Sequence, residues 1–189
     1  MTPGRVILVT GLPGAGKSTL ATELARRYRL PLLTKDFIKE PLLDVLGATD
    51  AVFSRKLSDA AFAAMFRLAA EWAREGHEFI LEGNFRPGEH EAPLRDALAS
   101  ARVAQILCRI DEMERLARLA AREKDLTRHA GHRFGERESA ATSASGMSRG
   151  DAFLDLPWER FIHDSTTCHT VLTAVDDWMN LRAASLLPA

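Results

Sequence analysis

The sequence has few cysteines and almost no excess of charge of either sign. Cys108 and Cys168 are the two cysteines among 189 residues, which excludes a disulfide scaffold, and they form no C-x-x-C pattern of a zinc site. With 25 Lys and Arg against 26 Asp and Glu, the chain lacks the basic excess of most proteins that bind nucleic acids or anionic membranes. These absences favour a reducing compartment, the cytoplasm, and argue against nucleic acid as the partner.

Long hydrophobic runs are absent too. No apolar stretch approaches the roughly 20 residues of a membrane helix, and residues 1–5 lead directly into a strand-like run, which leaves no room for a signal peptide. A chain of 189 residues that is 46% hydrophobic can bury one core. We expect a single domain over residues 1–189, located in the cytoplasm and without a membrane partner.

Strand-like and helix-like segments alternate along the chain. The predicted strands are residues 6–9, 31–34, 78–82, 103–108 and 161–163, and the predicted helices are 17–29, 36–46, 54–75, 92–100, 111–124 and 171–187. Pro41 lies in the second helix, which therefore either starts late or is kinked. The alternation predicts an α/β fold of three layers with a mostly parallel five-stranded sheet.

A glycine-rich loop between the first strand and the first helix fits the phosphate-binding pattern G-x-x-x-x-G-K-S/T without a mismatch. The predicted nucleotide-binding residues are Gly11, Leu12, Pro13, Gly14, Ala15, Gly16, Lys17, Ser18 and Thr19. The glycines let backbone N–H groups face phosphate oxygens, Lys17 reaches the β- and γ-phosphates, and the Ser18 hydroxyl ligates Mg²⁺. The loop therefore predicts a P-loop protein that binds ATP and Mg²⁺.

Other classes of P-loop protein fit less well. No lysine stands in the N/T-K-x-D pattern that reads guanine, and the D-x-x-G match at residues 44–47 ends a helix rather than a strand. Motor and transporter ATPases are normally longer and carry an Asp-Glu pair at a strand end. A small kinase remains, and it needs a carboxylate near the acceptor hydroxyl, a group near the metal and arginines near the transferred phosphate.

Asp36 is the candidate carboxylate, because it follows the second predicted strand at the sheet edge where open α/β sheets bind ligands. It would orient the acceptor hydroxyl and accept its proton. Lys35 and Lys39 stand beside it and are predicted to bind the acceptor, in a chain with five lysines. The structural alternative is that Asp36 caps or opens the following helix.

Glu82 ends the third predicted strand and is the candidate group near the metal, where it would hold Mg²⁺ through water or orient the attacking group, and it is also predicted to bind the acceptor. Asn84 and Arg86 follow in the loop and are predicted to contact the acceptor or a phosphate. The alternative is an ordinary polar loop between a strand and a helix.

Three arginines on the helix after strand four, Arg115, Arg118 and Arg122, are spaced i, i+3 and i+7 and share one face. Packing of the opposite side would present a row of guanidiniums to phosphate, with Arg118 and Arg122 as catalytic residues. The apolar residues on that opposite side are Met113, Leu116 and Ala120. A solvated basic face is the alternative. Residues 126–150 lose apolar periodicity, so the region of about 111–150 is the predicted mobile lid.

Three further features stay secondary. His129 and His132 in the lid do not form a structural zinc site, because no cysteine or acidic partner is near. Cys108 lies inside a strand and is expected in the core. Trp178 and Met179 look exposed on the last helix, which leaves contact in a homodimer open.

These motifs resemble the small bacterial P-loop kinases known as predicted kinases or ATP-binding proteins. Their relatives are chloramphenicol phosphotransferase, zeta toxin, gluconate kinase and polynucleotide 5′-kinase. The similarity covers nearly the whole chain, and the segments that carry it are residues 11–18, 35–40, 81–86, 108–109 and 128–132. The resemblance implies that Asp36 is the base on the acceptor side and that Arg118 and Arg122 belong to the lid over ATP.

The function that these observations favour is transfer of the γ-phosphate of ATP to a hydroxyl of a small molecule, with Mg²⁺. Polynucleotide 5′-kinase activity is one alternative, although Glu82, Gly83 and Asn84 replace the Asp and Thr-Asn pair usual in those enzymes. An ATP-binding switch or slow ATPase that acts on a protein partner is another. The sequence does not identify the acceptor.

Overall fold

A computed structural model of the chain describes residues 3–47, 50–123, 151–166 and 170–184. The strands are β1 (Arg5–Gly11), β2 (Leu32–Thr34), β3 (Phe79–Glu82), β4 (Arg102–Arg109) and β5 (Glu159–Asp164). The helices are α1 (Lys17–Tyr28), α2 (Lys35–Leu46), α3 (Ala51–Arg74), α4 (Glu91–Ala97), α5 (Glu112–Glu123) and α6 (Thr170–Ala184). The predicted alternation of strands and helices is confirmed.

The five strands form one parallel sheet in the order β2-β3-β1-β4-β5. The central strand β1 lies between β3 and β4, and the chain moves to opposite sides of it to form these two neighbours. Because all five strands run in one direction, the carboxyl ends of β1, β2 and β3 meet at one edge. Ligands bind at such an edge in open α/β sheets, so the loops after these strands contain the candidate site.

Alternate residues of β1 pack into two separate cores. Val6 and Leu8 lie in the core that contains side chains of α3 and α4, and Ile7 and Val9 lie in the core with α1 and α6. All four side chains are fully buried, as expected for a central strand covered by helices on both faces. The predicted α/β fold of three layers is therefore confirmed.

The start of α2 differs from its prediction by one residue, and Pro41 lies inside this helix. Thr34 caps the helix, since its Oγ1 accepts a hydrogen bond of 3.0 Å from the Phe37 amide. The helix then runs from Lys35 through Pro41 to Leu46 without starting late. At the next helix, Asp50 caps α3 and moves its start to Ala51, three residues before the predicted one.

Two predictions about the exposure of side chains have different outcomes. Trp178 and Met179 are 3% and 8% exposed in the core beneath α6, so the expectation that they are exposed is wrong and gives no basis for a homodimer contact. Cys108 is buried in β4, as predicted.

The lid prediction for residues 126–150, including His129 and His132, lies outside the described residues, as does Cys168. No helix in the described part is long and apolar enough to span a membrane.

Candidate active site

The loop between β1 and α1 has the backbone form of an anion cradle. Gly14 and Gly16 have φ angles of +89° and +86°, where any side chain is strained. A Cβ on Gly16 would lie 2.6 Å from Ser165 Oγ, and one on Gly14 would lie 3.1 Å from Arg115 Cγ. Gly16 is the N-cap residue of α1, and no side chain caps this helix start. The first N–H groups of the helix are therefore left for phosphate oxygens.

Lys17, the first residue of α1, places its ammonium inside this loop. Its Nζ donates a hydrogen bond of 2.9 Å to the Leu12 carbonyl, and the residue is 9% exposed. Burial lowers the pKa of Lys17, and the nearby carboxylates of Glu82 and Asp36 oppose that effect. A buried cation beside open N–H groups fits the phosphates of a nucleotide.

Ser18 and Glu82 bring a hydroxyl and a carboxylate together beside the loop. Ser18 Oγ lies 3.4 Å from Glu82 Oε2, and Glu82 pairs in register with Thr34 at the end of β2. Burial raises the pKa of Glu82, an effect that Lys17 opposes and Asp36 strengthens. Hard oxygen ligands of this kind fit Mg²⁺, which takes few protein ligands and completes its shell with water and substrate phosphates. The described residues contain no larger group of metal-ligating side chains.

Asp36 lies in the first turn of α2, just after the end of β2. Thr34 supplies the helix cap, so Asp36 does not cap the helix, whereas the other half of that alternative, that Asp36 opens the helix, agrees with its place in the first turn. The Lys35 ammonium lies 2.8 Å from Asp36 Oδ1, and the Asp36 side chain is 43% exposed. The carboxylate is therefore held by a cation and remains accessible from the cleft that it lines.

A cleft of about 330 Å³ brings most of the predicted residues together. The predicted residues that line it are Pro13, Lys17, Ser18, Lys35, Asp36, Lys39, Glu82, Asn84, Arg86 and Arg122. Thr19 lies instead at a neighbouring depression, with Thr22, Glu23 and Arg26. The lining residues that sequence reasoning missed are Glu40, Ala51, Ser54, Arg55, Ser58 and Gly83.

Most of the missed residues lie on α3, which packs against α2. Ser54 Oγ accepts a hydrogen bond of 2.9 Å from Lys39 Nζ, and these two residues are 2% and 4% exposed. Ser58 Oγ donates to the Ser54 carbonyl at 3.2 Å. A signal was present in the sequence, because Ser54 and Ser58 share the helix face of the buried Leu57 and Ala61. Polar residues such as these on the apolar face of a helix indicate a binding site beside that face.

The loop after β3 is held in place by a histidine that sequence reasoning also missed. His90 Nδ1 accepts a hydrogen bond of 2.8 Å from the Arg86 amide. Its ring packs against Phe62, Phe66 and Phe85, with centroid distances of 4.3, 5.8 and 6.1 Å. Burial lowers the pKa of His90, which keeps the ring neutral and able to accept this bond. The contact fixes the loop that carries Asn84 and Arg86.

Arg115 does not belong to an exposed row of guanidiniums, so that prediction is wrong. The residue is 1% exposed, whereas Met113 and Leu116 are 75% and 39% exposed. Arg115 Nη1 donates to the Pro13 carbonyl at 3.2 Å, and Nε and Nη2 donate to the Glu112 carboxylate at 2.7 Å each. The helix is thus turned with its arginine toward the P-loop, because the buried guanidinium satisfies a loop carbonyl that an apolar side chain would leave unpaired.

The other two arginines of α5 have different surroundings. Arg122 lines the cleft. Arg118 is paired with Glu114 and lies beside the P-loop, where a Cβ on Gly16 would be 3.7 Å from its Nη1. The catalytic roles predicted for both arginines, and their part in a lid that continues beyond the described residues, stay predictions.

Residues 6–139 match the AAA_33 family, which is described as an AAA domain. The matched span contains the P-loop, Asp36 and Glu82, and it is more than half of the chain. The protein belongs to the AAA_33 family. The candidate phosphate loop, acceptor residue and metal residue therefore lie inside the matched span.

A curated relative of this AAA_33 protein is an adenylyl-sulfate kinase from Deinococcus deserti. The two are 44% identical over 66 residues, which are 32% of this chain and 36% of the relative. The match thus covers about a third of the relative's length, and the similarity is local.

Solved structures extend the similarity to nearly the whole chain. A candidate kinase from Chloroflexus aurantiacus J-10-fl is 31% identical, with a TM-score of 0.82 over 96% of this chain and 98% of that one. A sugar kinase from Janibacter sp. HTCC2649 shares the fold, at 17% identity and a TM-score of 0.59, with 94% of each chain covered. The APS kinase of Mycobacterium tuberculosis, solved with AMPPNP and APS, also shares it, at 17% identity and a TM-score of 0.56 over 97% and 99% of the chains. The AAA_33 protein is a kinase-type P-loop protein.

Arg115→Met is expected to destabilise the AAA_33 protein and to weaken ATP binding. The substitution leaves the Pro13 carbonyl and the Glu112 carboxylate without their donor, at a cost of about 1–3 kcal/mol in the free energy of unfolding. We expect the Kd for ATP to rise, because the loop that holds the phosphates loses its anchor. Urea unfolding and ATP titration measure both effects. Arg95→Met on the exposed face of α4 is the matched control, and equal results for the two variants would contradict the anchoring role.

Lys39→Met is expected to stabilise the AAA_33 protein at neutral pH. Burial and the neighbouring Lys35 lower the pKa of Lys39 from 10.5 to about 8. Below pH 8 the ammonium destabilises the folded state fully, and this cost disappears as the pH rises to 10.5, because the unfolded chain binds the extra proton in that interval. We expect a gain of roughly 1–2 kcal/mol at neutral pH that vanishes in alkaline solution.

Urea unfolding at pH values on both sides of this interval measures the gain. Lys56→Met, at an exposed position of α3, is the matched control and should change the free energy of unfolding little at any pH. A Lys39→Met protein no more stable than the parent at neutral pH, or a gain that does not depend on pH, would show that the buried ammonium carries no such cost.

Proposed function

We propose that this protein transfers the γ-phosphoryl group of ATP to a hydroxyl group of a small molecule. The observation that carries the proposal is the position of Asp36, which lines the same cleft as Lys17 and Ser18. A carboxylate close to the phosphate-binding loop provides both halves of a phosphotransferase site, the one for the donor and the one for the acceptor.

On the donor side, the P-loop N–H groups and the Lys17 ammonium bind the ATP phosphates. The Lys17 side chain is held at the Leu12 carbonyl by one of its three N–H donors, so the other two can turn to phosphate. Ser18 and Glu82 would hold Mg²⁺, which would offset negative charge on the phosphates. These groups act mainly by positioning and by electrostatic stabilisation, which are the main sources of rate in phosphoryl transfer.

On the acceptor side, Asp36 orients the hydroxyl and accepts its proton. The acceptor oxygen forms a bond to the γ-phosphorus, the bond between that phosphorus and the β,γ-bridging oxygen breaks, and ADP leaves. Lys35, whose ammonium lies 2.8 Å from Asp36 Oδ1, holds this carboxylate in place. Arg122, which lines the cleft, and Arg118, beside Gly16, are placed to offset charge on the transferred group.

Small molecules suit the site better than polynucleotides. The cleft volume of about 330 Å³ is that of a pocket for a metabolite-sized ligand. The names of the relatives, adenylyl-sulfate kinase and sugar kinase, are those of enzymes that act on small acceptors, and they support the same class.

The experiment that tests the proposal measures ATP consumption with Mg²⁺ against a panel of acceptors. The panel contains alcohols, sugars, aminoglycosides, nucleosides and oligonucleotides with a 5′-hydroxyl. A compound that raises turnover above background hydrolysis, and that carries the phosphate afterwards, establishes the kinase and its acceptor class. Phosphate on the oligonucleotides alone would establish a polynucleotide kinase, and ATP binding with no stimulation by any compound would favour a switch that acts on a protein partner.

A further inference from the structure

Lys39 is a buried cation whose partner is neutral. The side chain enters the contact between α2 and α3, where its ammonium donates to Ser54 Oγ at 2.9 Å, and the residue is 4% exposed. A buried ammonium is costly unless a negative charge compensates it. Among the described residues its hydrogen-bond partner is a hydroxyl, so an anion that enters the cleft would add compensation for this charge.

The surroundings of Lys39 add to its positive charge. Lys35 is close enough to lower the pKa of Lys39, and Arg55 of α3 lines the cleft next to Ser54. The carboxylates that oppose the effect on the pKa of Lys39 are Asp36, already 2.8 Å from the Lys35 ammonium, and Asp59. Among the charged side chains that line this end of the cleft, three cations outnumber two carboxylates, and this excess favours an anion; they are Lys35, Lys39 and Arg55 against Asp36 and Glu40.

The subsite and the P-loop are held by different elements. The Lys17 ammonium, at the start of α1, donates to the Leu12 carbonyl, whereas the Lys39 ammonium, on α2, donates to Ser54 on α3. Both residues line the cleft, and so does Asp36 at the start of α2. A ligand whose hydroxyl lies at Asp36 would reach Lys39 by extending along α2.

We propose that Lys39, Ser54 and Arg55 form a subsite for a fixed anionic group of the acceptor, either phosphate, sulfate or carboxylate. The acceptors would then be small hydroxyl compounds that carry one such group, with the hydroxyl at Asp36 and the anion at Lys39. This inference rests on the proposed phosphotransferase function and names its substrate class. The Lys39 ammonium and the Arg55 guanidinium donate to the anion, and Ser58, through its hydrogen bond to the Ser54 carbonyl, supports Ser54.

The subsite explains specificity as well as binding. An anionic acceptor compensates the buried charge, while a neutral analogue of the same shape leaves the ammonium uncompensated. A site that pairs a buried polar group discriminates strongly against a ligand that lacks the partner. The free-energy cost of burying the Lys39 ammonium is in this way offset when the acceptor binds.

A direct test uses inorganic phosphate, sulfate and acetate as probes of the full-length protein saturated with AMPPNP and Mg²⁺, so that the P-loop is filled. Calorimetry and the NMR signal of the Lys39 side chain report binding. We expect one of the three anions to bind in a single site, with affinity lowered about tenfold or more in Lys39→Met and unchanged in Lys56→Met. The pKa of Lys39 should rise when the anion is bound, which a purely structural lysine would not show.

Two results would overturn the subsite. One is that none of the three anions binds in the millimolar range, and the other is that Lys39→Met binds them as well as the parent does. If Lys39→Met fails to fold, Lys39→Gln takes its place, and the NMR titration of the parent protein decides without any variant.

A second arm separates this inference from the proposed function. Glycerol is compared with glycerate and glycerol phosphate, and ribose with ribose 5-phosphate, as acceptors of the γ-phosphate. A kcat/KM at least about tenfold higher for the charged member of a pair supports the subsite, and equal values or a preference for the neutral member contradict it. Anion binding at Lys39 without transfer to any hydroxyl compound would leave the subsite in place and contradict the kinase.

Discussion

Asp36→Asn is expected to lower phosphoryl transfer by about 10²- to 10⁴-fold while the affinity for ATP stays nearly unchanged. The amide keeps the shape of the side chain but cannot accept the acceptor proton. ATP binding depends on the P-loop and on Lys17, whose ammonium hydrogen bonds to the Leu12 carbonyl and not to Asp36. The substitution therefore affects kcat far more than nucleotide affinity.

The measurement is transfer of labelled γ-phosphate to the acceptor identified by the panel, together with a titration of ATP. Asp44→Asn removes the same charge from an exposed position of α2 and is the matched control, expected at the parent rate. An Asp36→Asn protein that transfers at the parent rate would show that Asp36 is not the base. In a switch protein this substitution should leave ATP binding and hydrolysis nearly unchanged, whereas in a kinase it should abolish most of the transfer. The measurement therefore separates the two functions.

Lys17→Ala is expected to weaken ATP binding by about 10- to 100-fold and to abolish turnover. The substitution removes the buried ammonium that faces the phosphates, and hydrogen bonds between a cation and an anion are worth about 1.5–3 kcal/mol each. It also removes charge stabilisation that grows during transfer. Both effects come from one side chain, so affinity and rate should fall together.

Binding of a fluorescent ATP analogue and the rate of ATP consumption test this prediction. Lys56→Ala, exposed on α3, is the control that keeps the change in composition and charge while leaving the P-loop intact. Unchanged affinity and turnover in Lys17→Ala would contradict the assignment of residues 11–18 as the nucleotide site. Thermal unfolding confirms that both variants are folded.

The P-loop was predictable because its function is encoded in consecutive residues. The left-handed conformation of Gly16 and the helix start at Lys17 and Ser18 depend on local sequence, and the structure has both where the pattern predicts them. The positions of Asp36 and Glu82 were predictable for a different reason. Each follows or ends a buried strand, and parallel strands bring their carboxyl ends to one edge, so Asp36 and Glu82 line one cleft although 46 positions separate them.

The orientation of α5 was not predictable from periodicity. The spacing of arginines and apolar residues along α5 predicts two faces, one with Arg115 and one with Met113 and Leu116. The apolar face of a helix is normally the buried one. The structure buries Arg115 instead, because the nearest surface is the P-loop, whose Pro13 carbonyl needs a donor. The exposed appearance of Trp178 was wrong for a related reason, since only the packing of α6 on the sheet decides which of its residues are covered.

By itself the sequence determined the layered α/β architecture, the P-loop and the candidate carboxylates, because local patterns and the common direction of parallel strands are enough to place them. The tertiary structure alone decided which side of α5 faces the P-loop and how α3 completes the cleft. Lys39 and Ser54 are 15 positions apart and meet only because α2 packs on α3. Contacts between helices depend on the relative rotation of their faces, and no local pattern in the chain specifies that rotation.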